Sequence, residues 1–127
     1  MEKYQPSLIE TKILLTIEYL NSLGYYPLPL GVTKILNGII DEETIAFKEC
    51  PTFQTAISYN SKKISKSIVI VNRYNYVKKT FDKVTNELYL EITDKGKSYL
   101  LDFNKHHKIN LTRHKKEFKV TIVKITK

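Results

Sequence analysis

At 127 residues, 42% hydrophobic and 27% charged, the chain has the composition and length of one globular domain with a real core. It holds no uncharged apolar run near the roughly 18–20 residues of a membrane span, and Met1 to Pro6 lack the basic-then-apolar layout of a secretory signal. Its single cysteine, Cys50, excludes an intramolecular disulfide and a multi-cysteine zinc site, and fits a reducing cytoplasmic setting.

The net charge of +8 is unevenly spread. Residues 50–81 hold five Lys, one Arg and no acid, and residues 103–127 hold seven Lys, one Arg and one acid; the stretches 1–49 and 82–102 are net acidic. Clustered cations make a local field that polyanions feel more strongly than an even excess would. Nucleic acid is the polyanion expected, and no second feature supports a membrane surface.

Pro6-Ser7 followed by Glu10 reads as a capping box. Ile9, Ile13, Ile17 and Leu20 keep helical spacing, and Gly24 is the expected stop. Leu8, Leu15 and Tyr19 form a second apolar stripe, expected to meet the C-terminal region or another subunit. Tyr25 to Pro29 reads as a turn, and Gly31 to Asn37 as a short helix ended by Gly38. Asp41-Glu42-Glu43 reads as a solvated cluster, in a loop or starting a helical turn. It is not read as catalytic, because neighbouring carboxylates on a helix point apart and no His, Ser or metal-ligand pattern accompanies them. Pro51 is expected to open a short helix containing Phe53, Ala56 and Ile57.

Residues 61–73 carry the most information. Stepped as a helix, Ile64, Ile68 and Val71 share one face, while Lys62, Lys66 and Arg73 fall within about 40° of one another opposite it. Ser61 is the expected cap. Such a helix can rest on a protein core and on a phosphate backbone at once; the plain alternative is a solvated lysine face.

From Tyr76 the period changes. Tyr76 to Phe81 and Glu87 to Ile92 have strand composition, with Asp82 to Asn86 as the tip of a hairpin. Leu88, Leu90 and Ile92 alternate with Tyr89 and Glu91. Thr93 then caps a helix through Leu101, and Glu117 to Ile125 reads as a further strand. Tyr74, Asn75 and Tyr76 are expected to pack rather than to stack on bases. His106, His107 and His114 sit among cations without cysteines, so no metal is expected. No nucleophile has a supporting context, so the chain is expected not to be an enzyme and to need no cofactor.

The order of helices, cationic helix, hairpin and Ile92-Thr93-Asp94-Lys95-Gly96-Lys97-Ser98-Tyr99-Leu100 resembles a winged helix-turn-helix, many of which close the wing with a similar Thr-x-Lys-Gly segment. More narrowly, Ile35-Leu36-Asn37-Gly38-Ile39, Phe53 to Ile57, and Ser61-Lys62-Lys63-Ile64 resemble the RQC domain of RecQ-type helicases over about residues 7–101, in a stand-alone form of the RQC-minor kind. The chain departs from that family in having no P-loop and no zinc cysteines. It also has Arg73-Tyr74-Asn75 where a glycine often precedes the wing, and residues 103–127 lie outside the pattern. Residues 104–127 are a basic extension expected to pack its strand on the core, because Phe118, Val120, Ile122 and Ile125 are too apolar for a disordered tail; the resemblance itself implies an α+β fold with a winged-helix core over 1–103. It implies binding to double-stranded or forked DNA, or to an operator as a homodimer. Ser61, Lys62, Lys63, Lys66 and Arg73 would supply the recognition helix, and Lys78, Lys79 and Lys83 the wing. In that family an aromatic at the wing can wedge between base pairs; Phe81 stands there, although a residue covering the core is the plainer expectation. The competing function is a protein-interaction module that docks a partner on Leu8, Leu15 and Tyr19.

Overall fold

The computed structural model describes residues 4–42 and 44–106. Among these residues four α-helices and one antiparallel hairpin make an α+β fold in the order α1 (Leu8–Ser22), α2 (Pro29–Asn37), α3 (Ser61–Arg73), β1 (Val77–Asp82), β2 (Glu87–Ile92) and α4 (Asp94–His106). A 3-10 turn, Ile45–Phe47, lies between α2 and α3.

The capping box forms. Glu10 N–H donates to Ser7 Oγ at 3.3 Å, and the Glu10 carboxylate accepts from Ser7 N–H at 2.9 Å. This satisfies backbone donors that the first turn would otherwise leave open. α2 begins two residues earlier than expected because Pro29 takes its first turn, where a missing N–H costs nothing. Gly38 ends it at φ 75°, and a Cβ there would sit 2.5 Å from Gln54 Cγ.

α1 is the central element. Its Ile9, Ile13, Leu14 and Ile17 share one buried cluster with Val32 and Leu36 of α2, Ile64, Ile68 and Val71 of α3, Leu90 and Ile92 of β2, and Leu100 of α4. A second cluster of Leu20, Ile35, Cys50 and Phe53 fills the end nearer the 3-10 turn. Lys12 is buried as well, and its ammonium donates to the Thr55 carbonyl at 2.7 Å. Burial pushes its pKa below the usual lysine range.

The helix expected from Pro51 is absent; residues 51–59 run as successive turns. The reason lies in α2. Gln54 and Ala56 give their N–H groups to the carbonyls of Ile35 and Leu36, at 2.8 and 2.9 Å, and not to the preceding turn of their own segment. Gln54 takes φ 65°, and its buried side-chain amide has no hydrogen-bond partner among the described residues. Asp41, Glu42 and Thr44 lie outside helix and strand, and Thr44 N–H donates to the Asp41 carboxylate at 3.1 Å.

The hairpin pairs Val77 with Ile92 through Asp82 with Glu87. The α1–α2 connection reaches β2 through one backbone bond, Leu90 N–H to the Pro27 carbonyl at 2.8 Å. Asn21 of α1 reinforces this edge: its Oδ1 accepts from Ile92 N–H at 2.8 Å and its Nδ2 donates to the Tyr25 carbonyl at 2.9 Å.

At the root of the hairpin the Tyr76 carbonyl accepts from Thr93 N–H at 3.1 Å and Thr93 Oγ1 at 3.0 Å. Thr93 also caps α4, taking Gly96 N–H at 3.1 Å. A Cβ on Gly96 would lie 2.3 Å from that Tyr76 oxygen and 2.7 Å from Ile92 Cγ1. The clash with backbone leaves no cheap relaxation. Gly96→Ala is therefore expected to cost about 1–3 kcal/mol by overpacking, read as a lower urea midpoint with an unchanged m-value. An unchanged midpoint would contradict this packing.

Candidate nucleic-acid interface

α3 is short for a helix standing alone in water, and its order comes from its buried side. Ile64, Ser67, Ile68 and Val71 are buried. The cap is Asn60, one residue before the expected Ser61: Asn60 Oδ1 accepts from Lys63 N–H at 2.8 Å, and Ser61 becomes the exposed first helical residue. Both are good capping residues; Asn60 is the one whose side chain takes the N–H of the third helical residue, Lys63.

Opposite the buried stripe, Lys62, Lys66, Val69 and Arg73 are all exposed. None of the three cations is ion-paired among the described residues. Lys63 lies to one side, its ammonium 5.7 Å from the Tyr59 ring centre. On the hairpin, Lys78, Lys79 and Lys83 are exposed. Lys78 and Lys79, being adjacent on β1, occupy opposite faces. Lys78 lies 3.7 Å from the Glu91 carboxylate across the ladder, so its charge is partly offset. Lys79 pairs in register with Leu90, and Lys83 stands in the turn.

The aromatics leading into β1 are packing residues. Tyr74 stacks on Tyr4 with ring centres 4.1 Å apart and planes 4° from parallel. Tyr76 is buried, edge-on to Tyr99 at 5.7 Å. The Tyr99 hydroxyl lies 2.8 Å from Thr11 Oγ1, and the Tyr4 hydroxyl donates to the Glu10 carboxylate. Burial raises the phenol pKa of both Tyr4 and Tyr76, with the Glu10 hydrogen bond adding to the shift at Tyr4. Asn75, just before β1, takes φ 68°, a conformation asparagine tolerates better than most residues.

Phe81 covers no core. It shares a face of the hairpin with Val77, Leu88, Leu90 and Ile92, but the outer half of that face overhangs the domain. Phe81 is 51% exposed, Leu88 45% and Val84, in the turn, 93%. The alternation at Leu88, Leu90 and Ile92 is present; only the last two reach the core.

Leu8 is exposed, and Leu15 and Tyr19 are half-buried beside a shallow cleft with Glu18, Ser22 and Pro51. The strand expected over 117–125, its packing on this stripe, His107 and His114 lie outside the described residues. A second cleft, of about 310 Å³, between the α1–α2 connection and β2 is lined mainly by Tyr25, Tyr26, Leu28, Leu30, Phe47 and Tyr89. Among the described residues no group of three His, Cys, Asp or Glu could hold a metal ion, and no helix is long and apolar enough to cross a membrane.

Three features escaped the sequence reading. Asn60 competes with Ser61, an adjacent and equally good cap, and no local pattern separates the two. Val69 was legible, since it falls on the same side as Lys62, Lys66 and Arg73. Tyr4 carried no periodic signal. No protein-family model matches the chain, and no curated protein matches it.

Proposed function

We propose that this chain is a non-enzymatic DNA-binding protein with a winged-helix core, similar to the RQC type. In this reading α3 docks on duplex DNA and the β1–β2 hairpin acts as the wing. The observation that carries it is the outward face of α3: Lys62, Lys66 and Arg73 stand exposed on a helix clamped to the core along its other side, and no acid interrupts that helix. A helix about 10–12 Å across with its side chains suits a major groove about 12 Å wide. Lys63 would reach phosphate from one flank of α3, Lys79 and Lys83 from the wing, and Ser61 would meet the backbone at the helix start. Lys78, shared with Glu91, is the weakest member of the set.

The triple variant Lys62→Ala, Lys63→Ala, Lys66→Ala is expected to weaken binding about equally on unrelated duplexes. The slope of log K against log salt should fall by about 0.9 for each phosphate that is no longer neutralised. Unchanged affinity with an unchanged slope would remove α3 as the docking element. It would favour the competing reading, a protein-interaction module using Leu8, Leu15 and Tyr19.

The wing favours duplex ends or forks over internal sites. Phe81, Val84 and Leu88 give its tip an apolar character that an exposed hairpin does not need for stability, and an unpaired terminus offers base faces on which an aromatic ring can stack. Phe81→Ala is therefore expected to lower affinity for forked and blunt duplexes by several-fold while leaving a duplex closed by loops at both ends nearly unchanged. Equal effects on both substrates would contradict an end-binding wing.

A further inference from the structure

We infer that Val69 reads the C5-methyl group of thymine in the major groove, giving this protein a base preference and a preference for DNA. The inference rests on the docking of α3 proposed above and adds a specificity that phosphate contacts cannot supply.

At 100° per residue, the four positions most nearly opposite the buried stripe of α3 are Lys62, Lys66, Val69 and Arg73, within about a 60° arc. Three are cations. The fourth is an apolar β-branched residue, 48% exposed. Valine there does nothing for the isolated helix, where lysine, glutamate or alanine has the better propensity. Nothing among the described residues covers its outer side, and its neighbours on that ridge are long charged side chains. A single exposed valine needs no explanation elsewhere on a surface; its place between the cations is what singles it out.

Lys62 and Arg73 are eleven residues apart, about 16 Å along the axis, and Val69 lies about 6 Å from the Arg73 end. Long side chains at the ends of such a ridge reach outward to phosphates. A short side chain between them can touch only what lies directly beneath the helix, the edges of the bases. In the major groove the thymine methyl is the one apolar group displayed there, and apolar side chains are its usual partners. The charge of the ridge selects a polyanion, and the valine selects a methylated edge within it. Ser65, exposed beside this ridge, can bond to any base and adds no preference of its own.

The test uses the full chain and a random pool of 20-base-pair duplexes, recovered by binding and sequenced. Parent, Val69→Ala and Val69→Ile are compared, both variants being changed at an exposed position and so expected to fold. The recovered sequences of the parent should be enriched in thymine at one position. The best duplex is then made with deoxyuridine at that position, which removes the methyl alone. Taking away the burial of one methyl-sized group, about 0.8 kcal/mol, corresponds to about a fourfold weaker Kd for the parent. Val69→Ala should bind the thymine duplex about fourfold more weakly and be indifferent to the deoxyuridine change, whereas Val69→Ile should keep the preference. Recovery of DNA without a thymine preference, or a Val69→Ala variant still sensitive to deoxyuridine, overturns the inference and leaves the docking reading standing. Failure to recover any duplex overturns both.

Discussion

One carbonyl oxygen fixes the relation between the helical half of this domain and its hairpin. Tyr76 O takes two hydrogen bonds from Thr93 and stands where a Cβ of residue 96 would be. α4 can therefore begin directly against the hairpin root, and Tyr99, one turn on, reaches Tyr76 and Thr11. The same junction orients Tyr74, stacked on Tyr4, so that the N-terminal arm, the end of α3, the start of β1 and the first part of α4 meet in one aromatic group. The angle between the outer face of α3 and the hairpin is set here, and any surface that uses both elements inherits it.

The second constraint is the division of α3 into two sides. Burial of Ile64, Ile68 and Val71 each contributes about 1.5–3 kcal/mol relative to exposure, which orders a helix too short to persist alone. Once ordered, the helix holds Lys62, Lys66 and Arg73 in a row without ion-pair partners among the described residues. Those charges repel one another weakly in water, and the repulsion is relieved when a polyanion approaches. In the proposed docking, folding has already fixed the backbone, so binding orders only side chains. In the same proposal the hairpin extends this surface, with Lys79 on the face of Phe81 and Leu88 and Lys83 beside Val84 in the turn.

Much of the fold was legible because short-range chemistry decides it. The Ser7–Glu10 capping box, the glycine stops at 24 and 38, the change of period at Tyr76 and the Thr93 cap each depend on residues within a few positions of one another. Where the reading failed, a distant partner decided. Gln54 and Ala56 spend their N–H groups on the carbonyls of Ile35 and Leu36 in α2, which no local pattern reveals. The exposure of Phe81 and Leu88 depends on where the core ends beneath the hairpin, and the role of Asn21 depends on β2, some seventy residues later. For the candidate site, the cationic row was readable from helical phase alone. The opposite facing of Lys78 and Lys79, and the partial offset of Lys78 by Glu91, needed the strand register.

The central claim is that DNA meets the outer face of α3 together with the wing. Amide chemical-shift mapping of the full chain, titrated with a 20-base-pair duplex at moderate salt, tests it most directly. The account predicts perturbations concentrated at residues 60–73 and 78–84, with Leu15 to Tyr19 of α1 unaffected. Perturbations centred on Leu8, Leu15 and Tyr19, or none at saturating duplex, would contradict it.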